Sequence, residues 1–269
     1  MTSSESGFQV PEHAAFHYQA QVERFMAPFV DAMVAATVRS GDSVLDVACG
    51  TGFATRSAAR VVGSSGTVVG SDINAAMIAM ARSVPWDEGS AIAWEEASAL
   101  DLPFHDDEFD TVICQQGAQF FPDVAAGLVE MARVTRSGGQ LGATIWAGIE
   151  HSPFFSAEFE MLVRFCGTDP DASGTTFVDD GETQIGGWFV AAGLSDVTVD
   201  LVEETVNLPP VAKYVPLHLR ALPWSAAFFE LPIQDQNDAL TWMENQLADY
   251  HTNVGMAIPF RSFLSTATI

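Results

Sequence analysis

Residues 43–55, Ser-Val-Leu-Asp-Val-Ala-Cys-Gly-Thr-Gly-Phe-Ala-Thr, constrain this chain more than any other stretch. An apolar, β-prone run carries an acid, Asp46, near its end. A turn of small residues follows, Ala48-Cys49-Gly50-Thr51-Gly52, and then a helix-compatible segment. A strand–turn–helix of this kind brings backbone against a ligand, because glycine lacks the Cβ that would stand in the way. Asp72 closes the next apolar run, Thr67-Val68-Val69-Gly70-Ser71, at about the 20-residue spacing at which a carboxylate accepts both hydroxyls of a ribose. Turn and acid together predict a nucleoside-containing cofactor.

The surrounding pattern places that turn in an α/β fold. Strands are expected over 43–48, 67–71, 91–95, 109–114 and 140–146. Helices are expected over 51–62, from an N-cap at Asn74 through Ala81, and over 123–134, the last closed by Ser137-Gly138-Gly139. Strands alternating with helices predict a doubly wound parallel sheet, with 43–146 as its cofactor-binding core. Ahead of it, residues 11–38 have helical periodicity through Phe16, Phe25, Phe29 and Met33, and Pro28 is expected to divide them into two N-terminal helices. Residues 1–10 read as a tail. Beyond 147 the reading is a helix over 156–165, a surface loop over 167–182, a helix over 184–192 ended by Gly193, and a strand over 196–208. A helical, aromatic-rich block at 211–252 precedes a last strand at 257–266. Helices between two late strands form an insertion, a lid, so residues 1–269 read as a single domain.

Charge narrows the partners. The formal net charge is −24 and Lys213 is the only lysine. Such a surface repels phosphates, which disfavours nucleic acid. With 48% apolar residues, 10% aromatic, the chain has material for a real core. No run of 18 uninterrupted apolar residues occurs, so no membrane span is expected. The first residues lack the basic start and apolar centre of a signal peptide, and a cytoplasmic location is expected. Cys49, Cys114 and Cys166 show neither paired spacing nor a histidine at metal-site spacing, so neither a disulfide framework nor a metal is expected.

Four segments, in order, resemble one family. They are Val44-Leu45-Asp46-Val47-Ala48-Cys49-Gly50-Thr51-Gly52; Val69-Gly70-Ser71-Asp72-Ile73-Asn74-Ala75-Ala76-Met77; Leu102-Pro103-Phe104 followed by Phe109-Asp110; and Arg133-Val134 with Arg136-Ser137-Gly138-Gly139. With these the chain resembles the class I S-adenosylmethionine-dependent methyltransferases, in the branch that holds the quinone-biosynthesis C-methyltransferases and many small-molecule methyltransferases. The resemblance covers about residues 15–146 and beyond that extends only to architecture. It implies a seven-stranded, mostly parallel Rossmann-like sheet and S-adenosyl-L-methionine as cofactor. It also implies that Asp46, Ala48, Gly50 and Gly52 line the amino-acid part of the cofactor, that Asp72 holds the ribose, and that Ile73 and Met77 sandwich the adenine. Ser98 and Ala99 would sit at the adenine edge, where the family usually has an Asp-Ala pair. A serine there still hydrogen-bonds, without a charge. Cys114, Gln115 and Gln116, at the end of the fourth strand, would face the methionine portion.

A sulfonium methyl is already an activated electrophile, so the protein's task is to align a nucleophile and exclude water. Two mechanisms stay open for an oxygen or nitrogen nucleophile, alignment alone or alignment with a base, and for the base the histidines His151, His17 and His218 are the candidates, His151 foremost because it follows the fifth strand. The acceptor is expected to be small and largely apolar. Its walls are sought among Trp146, Phe154, Phe155, Phe177, Trp188, Tyr214, Trp224, Phe228 and Phe229. Two other readings compete. One is a nicotinamide-dependent oxidoreductase on the same kind of sheet, against which the first turn lacks Gly-x-Gly-x-x-Gly. The other is an S-adenosylmethionine-binding protein that catalyses a reaction such as cyclisation without methyl transfer.

Overall fold

The structure is a computed structural model and describes residues 9–169 and 176–269. Among them is one eight-stranded sheet flanked by helices. The chain enters through α1 (Glu12–Gln21) and α2 (Glu23–Thr37). It then alternates β1 (Ser43–Val47), α3 (Phe53–Val62), β2 (Thr67–Asp72), α4 (Ala75–Ser83), β3 (Ile92–Glu96), β4 (Phe109–Gln115), α5 (Val124–Val134) and β5 (Thr135–Ala147). The second half runs α6 (Pro153–Cys166), β6 (Phe177–Val178), α7 (Gly181–Ala191) and β7 (Thr198–Leu208). Then come α8 (Val211–Leu219), α9 (Ala226–Glu230), α10 (Ile233–Gln246) and β8 (Met256–Thr268).

The sheet order is β3-β2-β1-β4-β5-β8-β7, with β6 pairing β5 off that path. The first five strands are parallel, and β8 runs antiparallel to both β5 and β7. Reversal of strand order between β1 and β4 opens a crevice at their carboxyl ends, where open α/β sheets bind ligands. Helices cover both faces. On one, α2, α3 and α6 bury Phe29, Met33, Ala58 and Met161 together with side chains of α8–α10. On the other, α5 and α7 bury Leu128, Met131, Ile185 and Phe189 against Leu45, Val112 and Leu141.

Three expectations are corrected. The sheet has an eighth strand, because β6 lies inside the stretch read as a loop over 167–182. Two residues are too few to show a period, and only their pairing with Trp146 and Ala147 defines them; residues 170–175 of that stretch, like the tail before residue 9, lie outside the described residues. The N-terminal helices part at Val22 rather than at Pro28, which sits within α2. Proline removes one helical donor, but α2 buries Phe25, Met26, Phe29, Val30 and Met33 along one side, and that burial holds the helix through it. Finally, Ser137-Gly138-Gly139 belongs to β5 rather than to a helix-closing turn. α5 ends at Val134, and the glycines pair with the chain's last residue through Gly138 N–H to Ile269 O, 2.7 Å, and Ile269 N–H to Gly139 O, 3.1 Å.

Two of the family-like segments turn out to be one structural unit. The Arg133 guanidinium donates to the carbonyls of Phe104 (2.8 Å) and Leu102 (3.0 Å) and pairs with Glu130 and Asp106. Leu102-Pro103-Phe104 is thereby fastened to the end of α5. Asp110 accepts the N–H of Ser43 at 2.7 Å and pairs with Arg136, tying β4 to the start of β1.

Candidate active site

The turn after β1 is held from beneath. Asp72, at the end of β2, accepts the N–H of Gly50 on Oδ2 (2.8 Å) and that of Asn74 on Oδ1 (2.8 Å). Asn74 in turn caps α4, its Oδ1 accepting from Ala76 and Met77, while its Nδ2 donates to the Val10 carbonyl. The helix cap and the carboxylate are therefore separate residues, which leaves Asp72 on the cavity wall. Burial pushes its pKa up to about 6, against the lowering effect of the two N–H bonds.

Asp46 lies one layer deeper. It is fully buried, accepts from the Thr55 hydroxyl at 2.5 Å, and leaves Oδ1 without a partner. Desolvation raises its pKa to about 7, offset in part by Thr55 and reinforced by Asp72. A buried acceptor with no donor costs stability, and a cation bound at the turn above it lessens that cost. Gly52 answers to packing as well as to the turn. It has φ +89°, and a Cβ there would meet Trp94 Cη2 at 2.3 Å, whereas a Cβ on Gly50 (φ +55°) would find nothing nearer than Tyr18 at 3.8 Å. Gly50 is thus the open position facing the cavity, and Gly52 is the one on which Trp94 of β3 sits.

One large cavity lies at the carboxyl ends of β1, β2, β4 and β5. It holds about 1600 Å³ of empty space counted out to its solvent mouth. Its ends differ. At one, Ala48, Gly50, Asp72, Ile73, Met77, Ser98, Ala99 and Gln115 all line the wall. Ile73 is 43% exposed, an apolar surface held at the opening. Met77 is buried, its far side covered by Val10, Ala14 and Ala15. The Ser98 hydroxyl accepts from Leu100 N–H at 3.2 Å and keeps its own proton to donate. Asp46, Gly52 and Cys114 stand behind the wall rather than on it. Cys114 is buried with its thiol pKa raised by desolvation, and it acts as core. A flat heterocycle, a diol and an ammonium fit Ile73, Asp72 and the Gly50 turn, so these residues suit the cofactor implied by the fold.

The other end is aromatic. Of the nine expected wall residues, Trp146, Phe155, Phe177 and Trp224 line it; Phe154, Tyr214, Phe228 and Phe229 pack behind, and Trp188 lies with α7 in the core on the other face. His218 and Glu158 line it too, with His218 Nδ1 2.8 Å from Glu158 Oε1 and both side chains almost wholly buried. The other two histidines lie off the wall. His151 is in a short 3-10 turn, exposed, beside Glu150 and Arg261. His17, on α1, is half-buried, its pKa lowered by burial and then by Arg220 and His13.

Sequence reasoning missed Tyr18, Phe25 and Met26 of the N-terminal helices, Gln119, and Glu158 of α6, all on the wall. Tyr18 stacks on Phe53 at 5.9 Å, and burial followed by the Asp72 charge keeps its phenol un-ionised. Glu158 had a signal: it interrupts the i, i+4 row Phe154, Glu158, Leu162, whose other members are fully buried. Ala48 (φ +55°) and Gln116 (φ +52°), the residues that follow β1 and β4, are non-glycine residues in left-handed conformation, and both line the cavity. Such backbone clusters at functional sites, and no sequence pattern announced it. Gln116 is clamped by its N–H to Thr144 O (3.0 Å) and by Nε2 to the Ser262 hydroxyl (2.8 Å).

Comparison with known proteins agrees with this geometry. Residues 44–139 match a family model described as a methyltransferase domain. Over 130 residues the chain is 38% identical to an uncharacterised protein of Mycobacterium tuberculosis, an alignment covering 48% of this chain and 46% of that one. Over 106 residues it is 45% identical to the ubiquinone/menaquinone biosynthesis C-methyltransferase of Hahella chejuensis, covering 39% and 43%. The chain therefore spans about half the length of the curated relatives it matches. In fold it is similar to a putative methyltransferase from an antibiotic biosynthesis pathway of Anabaena variabilis, with TM-score 0.62 at 16% identity over 93% of this chain and 100% of that one. Residues 44–139 are thus similar to a methyltransferase domain of the S-adenosylmethionine-dependent class I kind, and the chain around them has the fold seen in solved methyltransferases. Over the matched segment its relatives include quinone-biosynthesis C-methyltransferases, and the family match and the fold imply S-adenosylmethionine as cofactor. Among the described residues no helix is long and apolar enough to cross a membrane, and no cluster of His, Cys, Asp or Glu is arranged to hold a metal ion.

Proposed function

We propose that the whole chain transfers the methyl group of S-adenosylmethionine to a small, largely apolar acceptor held in the aromatic end of the cavity. The observation that carries this reading is continuity: one cavity runs from Asp72, Ile73 and the Gly50 turn to Trp146, Phe155, Phe177 and Trp224. When bound, the cofactor supplies a sulfonium methyl, an electrophile whose S–C electron pair stays on sulfur once a nucleophile takes the carbon. The chain's part is to bind, orient and dry the site. Asp72 holds the ribose hydroxyls, Ile73 and Met77 flank the adenine, Ser98 donates at its edge, and the Gly50 turn receives the amino-acid end. Gln115, whose amide donates to the Met26 sulfur at 3.2 Å, lines the boundary between the two compartments. Helices α8–α10, between β7 and β8, act as a lid and contribute His218, Leu222 and Trp224 to the wall. Excluding water matters because fixed orientation supplies on the order of 7–11 kcal/mol of barrier lowering only while the nucleophile stays in place.

The strongly acidic surface supports a small-molecule acceptor rather than nucleic acid. The quinone relatives support a flat one, since the relative from Hahella chejuensis is named for methylation in ubiquinone and menaquinone biosynthesis. Incubation with methyl-deuterated S-adenosylmethionine and a panel of aromatic alcohols, hydroquinones and amines, read by mass spectrometry, tests the reading. Labelled product and S-adenosylhomocysteine in equal amounts are expected. Binding of the cofactor with no labelled product across the panel would favour a non-methylating role.

A further inference from the structure

Burying an ionisable pair inside an aromatic box is costly, and well-packed apolar residues would serve stability as well. Among the described residues lining the aromatic end of the cavity, Glu158 and His218 are the ionisable side chains. Three rings hold the histidine in place. Tyr214 stacks parallel to it (5.7 Å, 14°), and Phe25 and Phe154 meet it edge-on at 5.5 Å each. Tyr214 is itself anchored, its hydroxyl donating to Gln21 O at 2.7 Å. With Nδ1–H directed to Glu158, the imidazole holds its lone pair on Nε2, which makes no hydrogen bond among the described residues.

We propose that His218 is the general base of the reaction, oriented by Glu158, and that the acceptor it serves is the hydroxyl of an aromatic ring, a phenol or hydroquinone. The inference rests on the methyltransferase reading above and deepens it. The O–H bond breaks, its proton passes to Nε2, and the electron pair stays on the ring oxygen, giving a phenolate beside an imidazolium balanced by the Glu158 carboxylate. The phenolate is nucleophilic at oxygen and at the ortho carbon; methylation at oxygen ends there, whereas methylation at carbon also releases that carbon's proton to solvent as the ring regains aromaticity. The hydroxyl must be aromatic for two reasons. Flat side chains wall the site, and a phenol is far closer in acidity to an imidazole than an aliphatic hydroxyl, which is about as weak an acid as water. Glu158 is a positioning residue: it fixes the tautomer and balances the charge without touching the acceptor.

The test uses the full chain with S-adenosylhomocysteine and 4-nitrophenol as a chromogenic probe, at a pH where the free probe is mostly neutral. The unmodified protein is expected to show the phenolate absorbance band on binding. His218→Gln is expected to keep S-adenosylhomocysteine affinity, lose at least about tenfold of the bound phenolate, and slow turnover of any phenol that is methylated by about 10²–10⁴-fold. Glu158→Gln is expected to lower the phenolate fraction and Glu158→Asp to restore part of it. ¹⁵N-histidine spectra of the unmodified protein provide a readout free of any folding defect, and should show one ring becoming imidazolium as the probe binds. A bound probe that stays neutral, a phenolate band unchanged in His218→Gln, or preference for benzylammonium over the phenol would each overturn the assignment. Failure of S-adenosylhomocysteine to bind the unmodified protein would instead remove the parent reading.

Discussion

Asp72 carries more than one duty, and its replacement separates them. Its two oxygens hold the Gly50 and Asn74 backbone as well as facing the cavity. Asp72→Ala is expected to weaken S-adenosylhomocysteine binding by about 1–3 kcal/mol, the size of lost hydrogen bonds to a charged group, and to lower the melting temperature as well. Unchanged affinity in a calorimetric titration would remove the ribose role. The buried pair makes a second prediction. Losing one member, as in His218→Leu, leaves a buried carboxylate alone and is expected to cost about 3–5 kcal/mol in urea denaturation. The double replacement His218→Leu with Glu158→Leu should recover most of that cost; equal losses in both would mean that the pair is not coupled. At this scale the cofactor wall was largely legible, because the glycine turn and Asp72 sit at distinctive spacings. His218 stood among three candidate histidines, with His151 ranked first for its place after a strand, and what distinguishes His218 is a contact across 60 residues of sequence with Glu158.

Elements carry the next set of consequences. Trp94, from β3, covers Gly52 and Gly70, so the strand beside β2 props up the turn after β1. Gly52→Ala must adopt a left-handed conformation, costing roughly 1–2 kcal/mol, and must also displace the indole. Adding Trp94→Leu should relieve the clash but not the backbone cost, leaving a partial rescue in thermal melts. A rescue to the unmodified value would show that φ is not constrained there. Asn74→Ala removes the α4 cap, worth about 1 kcal/mol, together with the bond to Val10 that holds the approach to α1. Hydrogen exchange should then quicken over α1 as well as α4. Quickening confined to α4 would mean that the Val10 bond holds nothing. Most elements were readable from period and caps, since the parallel core strands are continuous apolar runs. The failures were those that periodicity cannot see. β6 has two residues defined only by a partner strand, and α2 passes through Pro28 because burial along its length outweighs one missing donor.

The whole molecule is shaped by its negative charge and by two carboxylates it buries. Asp46 and Asp72 have folded-state pKa values raised from 3.8 to about 7 and about 6, so the folded chain binds more protons than the unfolded one across that window. The stability they contribute is fully present below the unfolded value and is lost as pH rises through about 6 to 7. Apo protein should therefore melt higher at pH 5 than at pH 8, and Asp72→Asn should make that slope shallower; an unchanged slope would mean that Asp72 ionises freely in the folded state. A net charge of −24 adds self-repulsion in the same direction, and added salt should raise the melting temperature through screening. The architecture of this molecule was legible from alternation of strands and helices, but the aromatic end of the cavity was not. It is assembled from α1, α2, α6 and the helices before β8, which meet only in three dimensions. The central claim is that the Gly50–Asp72 end binds S-adenosylmethionine, and calorimetric titration of S-adenosylhomocysteine into the unmodified chain tests it most directly. The account predicts a single saturable site, weakened roughly 5- to 150-fold by Asp72→Ala, the span of about 1–3 kcal/mol. No heat of binding in the unmodified chain, with saturable binding of a nicotinamide dinucleotide instead, would contradict it.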